Sequence, residues 1–470
     1  MGESEDTIYS EKEESAYLKH SKEHALKTSM KEGSTQSIGV NMSSGFLTPM
    51  LLAIGGNSFH IGILNSLNGL TDPLGEIAGS KLMEKHSRKK LWINAKVLVI
   101  LLQFPVLALL YLYWKGLFIS FLPWIMIALW GIFIPFIYGA GYVSWLSWLG
   151  DLVPPGRKGE FFASRNKLVG FVGLVTLLAA GFLLDLFKTK GYVLLGFSVL
   201  FGLAIVFRLS SAHYTSKIFN PYFRVRKQSY FSFSSFLKRY DNYGKFSVFQ
   251  AFFFFSIMLS APFFAVRMLE DLHFSYITYT LVSLSSTVFY LLFTPLTGKF
   301  SDKYGNLKLI YLGSFLFPLI PLLWVVIENP LYLILIPGFI SGLANASFII
   351  GTTDFSYNST SPQKRGFCFA YSALLIGFGT LVGSFIGGWI VEYSHISFIN
   401  PMFFAFILSS AFMIFTALYF LPKLREDDKI RSEKRHFEIV HPIRAFNSVV
   451  IWLRQFSYWH VNILNNEDKR

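Results

Sequence analysis

The sequence predicts an all-α integral membrane fold with twelve transmembrane helices arranged as two six-helix pseudo-repeats. Three observations carry that expectation: composition, the spacing of apolar runs, and the side on which the cations fall. The 470 residues are 53% apolar, 18% aromatic and 15% charged, whereas soluble domains carry roughly 25% charged residues. Fifty-one Phe are more than a water-soluble core could hide, so the solvent is the bilayer, where a spanning helix needs about 20 apolar residues.

Taken in order, the apolar stretches fall at roughly 38–56, 59–82, 91–114, 117–149, 161–187 and 191–212, giving a six-helix bundle over 38–212. After a polar break they resume at roughly 246–268, 274–297, 309–327, 331–355, 366–392 and 397–421, giving a second bundle over 246–421. Residues 1–37 read as a polar tail, acidic first and then basic, without the apolar run of a cleaved signal peptide. Residues 213–245 alternate aromatic and basic side chains, which suits an interfacial amphipathic linker or, given Ser229 to Ser235, a disordered loop. Residues 422–470 form a second tail, in which Ile443, Phe446, Val450, Leu453 and Phe456 fall at helical spacing. Arg444, Arg454 and His460 make it a surface-lying helix rather than a thirteenth span.

The net charge of +14 has a location. The loops after even-numbered spans hold groups such as Lys81, Lys85, Arg88, Lys89 and Lys90, then Arg157 and Lys158, and later Lys364 and Arg365, while the other loops hold few cations. By the positive-inside rule the basic loops and both termini are cytoplasmic, in a multi-pass protein of the plasma membrane. A positive face turned to anionic lipid explains the charge without a nucleic-acid partner. The single cysteine, Cys368, excludes a disulfide framework and any CxxC metal site. There is no H-E-x-x-H and no Walker A loop, so metalloprotease and ATP-driven pump readings lack support and no metal is expected. The sequons at Asn41, Asn345 and Asn358 fall in spans or on the cytoplasmic side and are expected to be unused.

The halves repeat. Pro155-Gly-Arg-Lys-Gly-Glu-Phe-Phe-Ala163 aligns with Pro362-Gln-Lys-Arg-Gly-Phe-Cys-Phe-Ala370, and Gly79 to Lys89 aligns loosely with Gly298 to Lys308. Internal repeats of this kind are typical of transporters. In the second copy, Gly298, Asp302, Lys303, Gly305 and Lys308 resemble the G-x-x-x-D-[RK]-x-G-x-x-[RK] loop signature of the major facilitator superfamily. With the six-loop-six layout the resemblance covers roughly 38–421. The first-half copy departs from it, with Met83 at the Asp position and His86 at the second Gly. The resemblance implies a secondary transporter that moves a small molecule by rocking its halves about a central site, with Asp302 contacting helix ends.

Ionisable groups within spans are costly and are functional candidates. Asn65, Asn68, Asp72 and Glu76 share one stripe of the second span. Two carboxylates one turn apart in low dielectric resist being ionised together, so one can hold and exchange a proton. H+ is therefore a candidate coupling ion and no other cofactor is expected. Lys96 is the expected countercharge, and a structural ion pair open to water is the alternative. At the equivalent positions of span eight stand Leu291 and Pro295. Asn41, Gln250, Thr280 and Thr287 are candidate cavity groups or hydrogen-bonded packing residues. Trp145 and Trp148 are interfacial anchors or ligand-stacking rings. Asp151 with Arg157 and Arg165, and Asp354 with Arg365, suggest a cytoplasmic gate or topology-setting charge. Gly379, Gly383 and Gly387 predict close helix packing; the run resembles the glycine-rich motif of drug exporters but lies in span eleven, with Ser384 in place of Pro. The expected partners are the lipid bilayer and a small-molecule substrate, for a monomer. A non-transporting receptor of the same fold is the alternative, and an enzyme comes third, because no nucleophile, base and acid cluster recurs at one boundary.

Overall fold

A computed structural model describes residues 3–117, 120–154, 158–220, 233–238, 241–360 and 365–426. The first half comprises α1 (Glu3–Ser43), α2 (Ser58–Leu82), α3 (Arg88–Trp114), α4 (Leu122–Leu152), α5 (Lys158–Thr189) and α6 (Val193–Lys217). The second comprises α7 (Asn242–Asp271), α8 (Tyr276–Tyr304), α9 (Asn306–Val326), α10 (Pro330–Asn358), α11 (Arg365–Tyr393) and α12 (Pro401–Phe420). Among the described residues ten helices are long and apolar enough to cross a bilayer. The exceptions are α1 and α2, which carry the charges that matter below.

Local chemistry sets the helix ends. The Asn57 carboxamide accepts from His60 N at 3.1 Å and the His60 ring accepts from Asn57 N, a reciprocal cap that starts α2. Asp241 starts α7 by accepting from Gly244 N at 2.8 Å. Asn400 accepts from Met402 N, and Pro401 at the first helical position starts α12. Within α4, Ala128–Phe133 is wound as a π-helix. There Gly131 O accepts from the Thr71 hydroxyl of α2 at 2.7 Å, so the irregular turn is satisfied by a neighbouring helix.

The chain forms two compact units. Unit one holds Met1–Lys227 with Pro262–Leu281 and Ser384–Tyr393; unit two holds Gln228–Ala261, Val282–Gly383 and Ser394–Arg470. In unit one α2 lies tightly on α4. A Cβ at Gly75 or Gly79 would run into the backbone of Phe136 or Ala140, and one at Gly139 would run into Asp72. This Gly75-x-x-x-Gly79 contact lets two backbones touch. The core of unit two is aromatic: Phe246, Phe249, Phe253, Phe348 and Phe355 are all buried, with Phe253 stacked on Phe348 at 4.9 Å. Gly379 and Gly383 of α11 press on the backbone of Ala251 and Phe255 in α7.

Two expectations about the segments flanking the spans differ from the structure. Helix α1 runs unbroken from Glu3 to Ser43, so 1–37 is not a tail distinct from the first span; the break comes later, at the 3-10 turn Ser44–Phe46 before Leu47–Ala53. Thr28, Ser29, Glu32 and Gln36 are buried: Glu32 meets Lys96 and Arg165 of other helices, while the Thr28 and Ser29 hydroxyls donate to carbonyls within α1. In the linker, Phe233–Leu237 is a short helix whose Phe236 is buried in the core of unit two against Tyr243 and Tyr371, not spread in the headgroups. The C-terminal amphipathic segment, Arg157, and the side chain of Arg365 lie outside the described residues.

Candidate functional site in the first helical unit

Four buried ionisable groups of unit one, Glu32, Lys96, Arg165 and Arg208, stand on α1, α3, α5 and α6. Lys96 of α3 donates to Glu32 Oε1 of α1 at 2.5 Å, to Ser211 Oγ at 2.6 Å and to Thr215 Oγ1 at 2.9 Å. All three of its N–H groups are thereby used. The second oxygen of Glu32 accepts from Arg165 Nη2 of α5 at 2.9 Å. Each cation also sits over an indole: Lys96 lies 4.9 Å from the Trp92 ring and Arg165 lies 4.6 Å from the Trp145 ring. Arg208 of α6, also buried, donates to Ser43 Oγ at 3.1 Å, while its Nε has no hydrogen-bond partner. One carboxylate thus answers a group of three buried cations.

This corrects two expectations. Lys96 is the partner of Glu32, not of Asp72 or Glu76, because its side chain runs between α1 and α6. Arg165 pairs with Glu32 rather than with Asp151, whose carboxylate instead accepts from Arg88 at 2.7 Å. Asp354 is half-buried on α10. The inner-end acids and bases therefore tie helices together within the first half.

Asp72 and Glu76 are half-buried on α2, and among the described residues neither has a cation within 4.0 Å. Asn65 bonds back to Ile61 O at 2.9 Å and Asn68 is exposed. Beside the acids, α4 carries an aromatic ladder. Tyr138 stacks on Tyr142 at 6.0 Å and Tyr142 on Trp145 at 5.5 Å, with interplanar angles of 15° and 22°. Gly139, beside Tyr138, packs on Asp72, and Arg165 lies over the Trp145 ring at the other end of the ladder. The ladder therefore connects the unpaired acids to the Glu32 ion cluster. Trp145 and Trp148 are buried, and the Trp148 N–H donates to Phe219 O at 3.1 Å. They are core residues rather than interfacial anchors, since their faces are covered by protein.

The other polar candidates do not converge. Asn41 donates to Ser37 O at 2.8 Å within α1, and Thr280 donates to Tyr276 O at 2.7 Å while lying against Gly181. In unit two Gln250 accepts from Ser372 at 3.2 Å and Thr287 is exposed.

At the loop signature Gly305 turns the chain with φ of 96°, a conformation that disfavours any side chain. Asp302 is exposed in the last turn of α8, where helix carbonyls rather than N–H groups are free, so it caps nothing. The N-terminal N–H of α9, on Asn306, is bound instead by Glu426 at 2.5 Å. Lys303 and Lys308 lie 5.1 and 5.6 Å from the Tyr304 ring, and Gly298 is half-buried.

At the end of unit one away from the basic loops, first-half helices meet the ends of α8 and α11. The Asp185 carboxylate of α5 accepts from Tyr276 N at 2.7 Å and from Ile277 N at 2.8 Å, capping α8. Asn57 donates to Glu392 at 2.8 Å. Gly62 of α2 faces Gly388 of α11, so a Cβ on Gly62 would come within 2.8 Å of Gly388 Cα. The glycine shown to touch α2 is thus Gly388; Gly387 beside it is also buried.

Sequence reasoning missed Glu32, Arg208, Asp185 and the Gly75/Gly79 pair. Signals existed: Arg208 and Asp185 are charges inside apolar runs, and Gly75-x-x-x-Gly79 has the small-residue spacing. Glu32 was hidden by placing the first span too late.

Twelve helices in a duplicated layout, with charge collected inside the first six, define a multi-pass helical membrane protein. Residues 246–464, a little under half of the chain, match the family model described as Major Facilitator Superfamily. The chain is similar to Multidrug resistance protein 1 of Bacillus subtilis (strain 168), 25% identical over 174 residues that make up 35% of this chain and 42% of the relative. It is also similar to Tetracycline resistance protein, class H, of Pasteurella multocida, 30% identical over 36% of this chain and 40% of that protein. The matched region thus spans less than half of either relative. The fold is shared with nucleoside transporter NupG (TM-score 0.64, 16% identity, 85% of this chain and 100% of that one). It is also shared with a bacterial homologue of the iron transporter ferroportin in its inward-facing state (TM-score 0.63, 13% identity, 85% and 98%).

Proposed function

We propose that the protein is a secondary active transporter of a small organic molecule, working by alternating access and coupled to protons through Asp72 and Glu76. The observation that carries this is the carboxylate pair without a countercharge beside the Tyr138–Tyr142–Trp145 ladder. Carboxylates lacking a cation can release and regain a proton as their surroundings change from wet to dry. Half-buried tyrosines offer a ring face on which a planar ligand can stack. The relatives named for multidrug and tetracycline resistance support an organic substrate. Neighbours named as transporters weigh against a receptor of the same fold. On this reading the protein is not an enzyme and uses no metal or cofactor besides H+. It works as a monomer in the plasma membrane, with both termini and the basic loops in the cytoplasm.

The test is transport in reconstituted vesicles, using aromatic organic molecules first selected by thermal stabilisation of the purified protein. Uptake should follow an imposed pH gradient and fall at least tenfold in Asp72→Asn/Glu76→Gln. Transport that ignores collapse of the gradient and survives both amide substitutions would remove the coupling role; the absence of any gradient-driven or exchange flux would remove the transporter reading itself.

A further inference from the structure

A cavity of about 430 Å³ opens between the middle of α1, the start of α3 and the end of α6 with the residues that follow it. Its polar side chains are Ser21, His24, Lys89, Lys217 and Asn220, with no Asp or Glu among the lining residues. The backbone acceptors of its floor are already engaged. Ile218 O accepts from Lys89 Nζ at 2.8 Å and Phe219 O accepts from the Trp148 indole at 3.1 Å. What remains for a ligand is rich in donors: two N–H groups of Lys89, the ammonium of exposed Lys217, the Ser21 and His24 side chains, and the amide N–H of Asn220 not turned to Ser87 Oγ. Lys89 is the second residue of one apolar span, and Lys217 is the last residue of another. Two span ends meeting in one cavity place it at the depth of the lipid phosphates.

The geometry points to a binding site for a phosphate-bearing anion, filled by the headgroup of an anionic phospholipid. A compact phosphate diester can take point-charge contacts from both lysines and hydrogen bonds from the neutral donors. A choline headgroup brings a cation that these groups repel. Held there, the lipid would tie the start of α3 to the end of α6.

The test is native mass spectrometry of the full-length protein in neutral detergent, titrated with phosphatidylglycerol, phosphatidylcholine or inorganic phosphate. Phosphatidylglycerol should bind and phosphatidylcholine should not. Each lysine near a membrane surface changes such binding about fivefold, so Lys89→Gln/Lys217→Gln should weaken phosphatidylglycerol about 30-fold. Lys81→Gln/Lys85→Gln, exposed and outside the cavity, should change it less than twofold. If the double variant does not fold, Lys217→Gln alone, at an exposed position, should still give the fivefold loss. Equal losses in the cavity and control pairs, or equal binding of the two lipids, would overturn the proposal. Inorganic phosphate that binds the parent at millimolar concentration, is lost in the cavity variant and displaces the lipid would overturn the lipid source in favour of a soluble phosphate.

Discussion

Replacing Asp185 tests the contact at the end of unit one away from the basic loops. Its carboxylate accepts two backbone N–H groups at the start of α8, at 2.7 and 2.8 Å. Hydrogen bonds to a charged group are worth about 1.5–3 kcal/mol each when the alternative is an unmade bond. Here the freed N–H groups gain water as the end opens, so the smaller capping figure of about 0.5–2 kcal/mol governs, with about 0.3–1 kcal/mol more from the charge at a helix N-terminus. A loss of about 2 kcal/mol in Asp185→Ala corresponds to about a 30-fold larger population of the parted state. Asp185→Asn keeps one acceptor oxygen and should shift the population about fivefold or less. The assay is labelling of Ser58→Cys by a membrane-impermeant maleimide. Ser58 is buried at the start of α2 with its carbonyl against Gly388, so its thiol reacts only when α2 and α11 part. Buried Cys368 reports unfolding in the same sample. Labelling of Ser58→Cys that rises less than threefold in Asp185→Ala, or equally in the Ala and Asn variants, would refute the reasoning.

Two further outcomes follow from packing and charge. Gly79→Ala places a Cβ in the Ala140 backbone, which cannot yield as a side-chain tip could, and should cost about 1–3 kcal/mol; thermal unfolding in detergent should fall by several degrees, while Gly170→Ala, with open space around it, should not move. Glu32→Gln removes the one carboxylate that answers both Lys96 and Arg165, leaving buried cations uncompensated, and should cost about 3–5 kcal/mol, whereas Lys96→Met, which leaves Glu32 paired with Arg165, should cost less than half of that, as measured by denaturant unfolding.

The spans were legible because hydropathy is a property of contiguous residues. The charge partners were not, because an ion pair is a property of helix neighbours. Lys96 and Asp72 are close in sequence and looked like a pair, yet the partner of Lys96 is Glu32, 64 residues away, and that of Arg165 is the same Glu32, 133 residues away. A window average also placed Glu32 in a tail, since one buried carboxylate with its serines lowers hydropathy as much as an exposed one does. The stripe from Asn65 to Glu76 could be read from helical period alone, whereas its aromatic neighbour on α4 depends on the glycine contact that sets α2 against α4. At the loop signature the turn at Gly305 was readable from residue type. The capping group was not, because Glu426 reaches Asn306 from 120 residues further along.

The Glu32 cluster also bears on how the protein is made. Synthesis proceeds from the N-terminus at about 5–20 residues per second, so Arg165 follows Glu32 from the ribosome on the order of ten seconds later. During that interval α1 carries a carboxylate whose second cation does not yet exist, and α2 carries two acids with none. These are the two helices that fall short of the apolar threshold met by the other ten. The first pair of spans is therefore poorly suited to enter lipid unaided. Its insertion should depend on a proteinaceous, water-accessible shelter that holds both helices until α3 and α5 deliver Lys96 and Arg165.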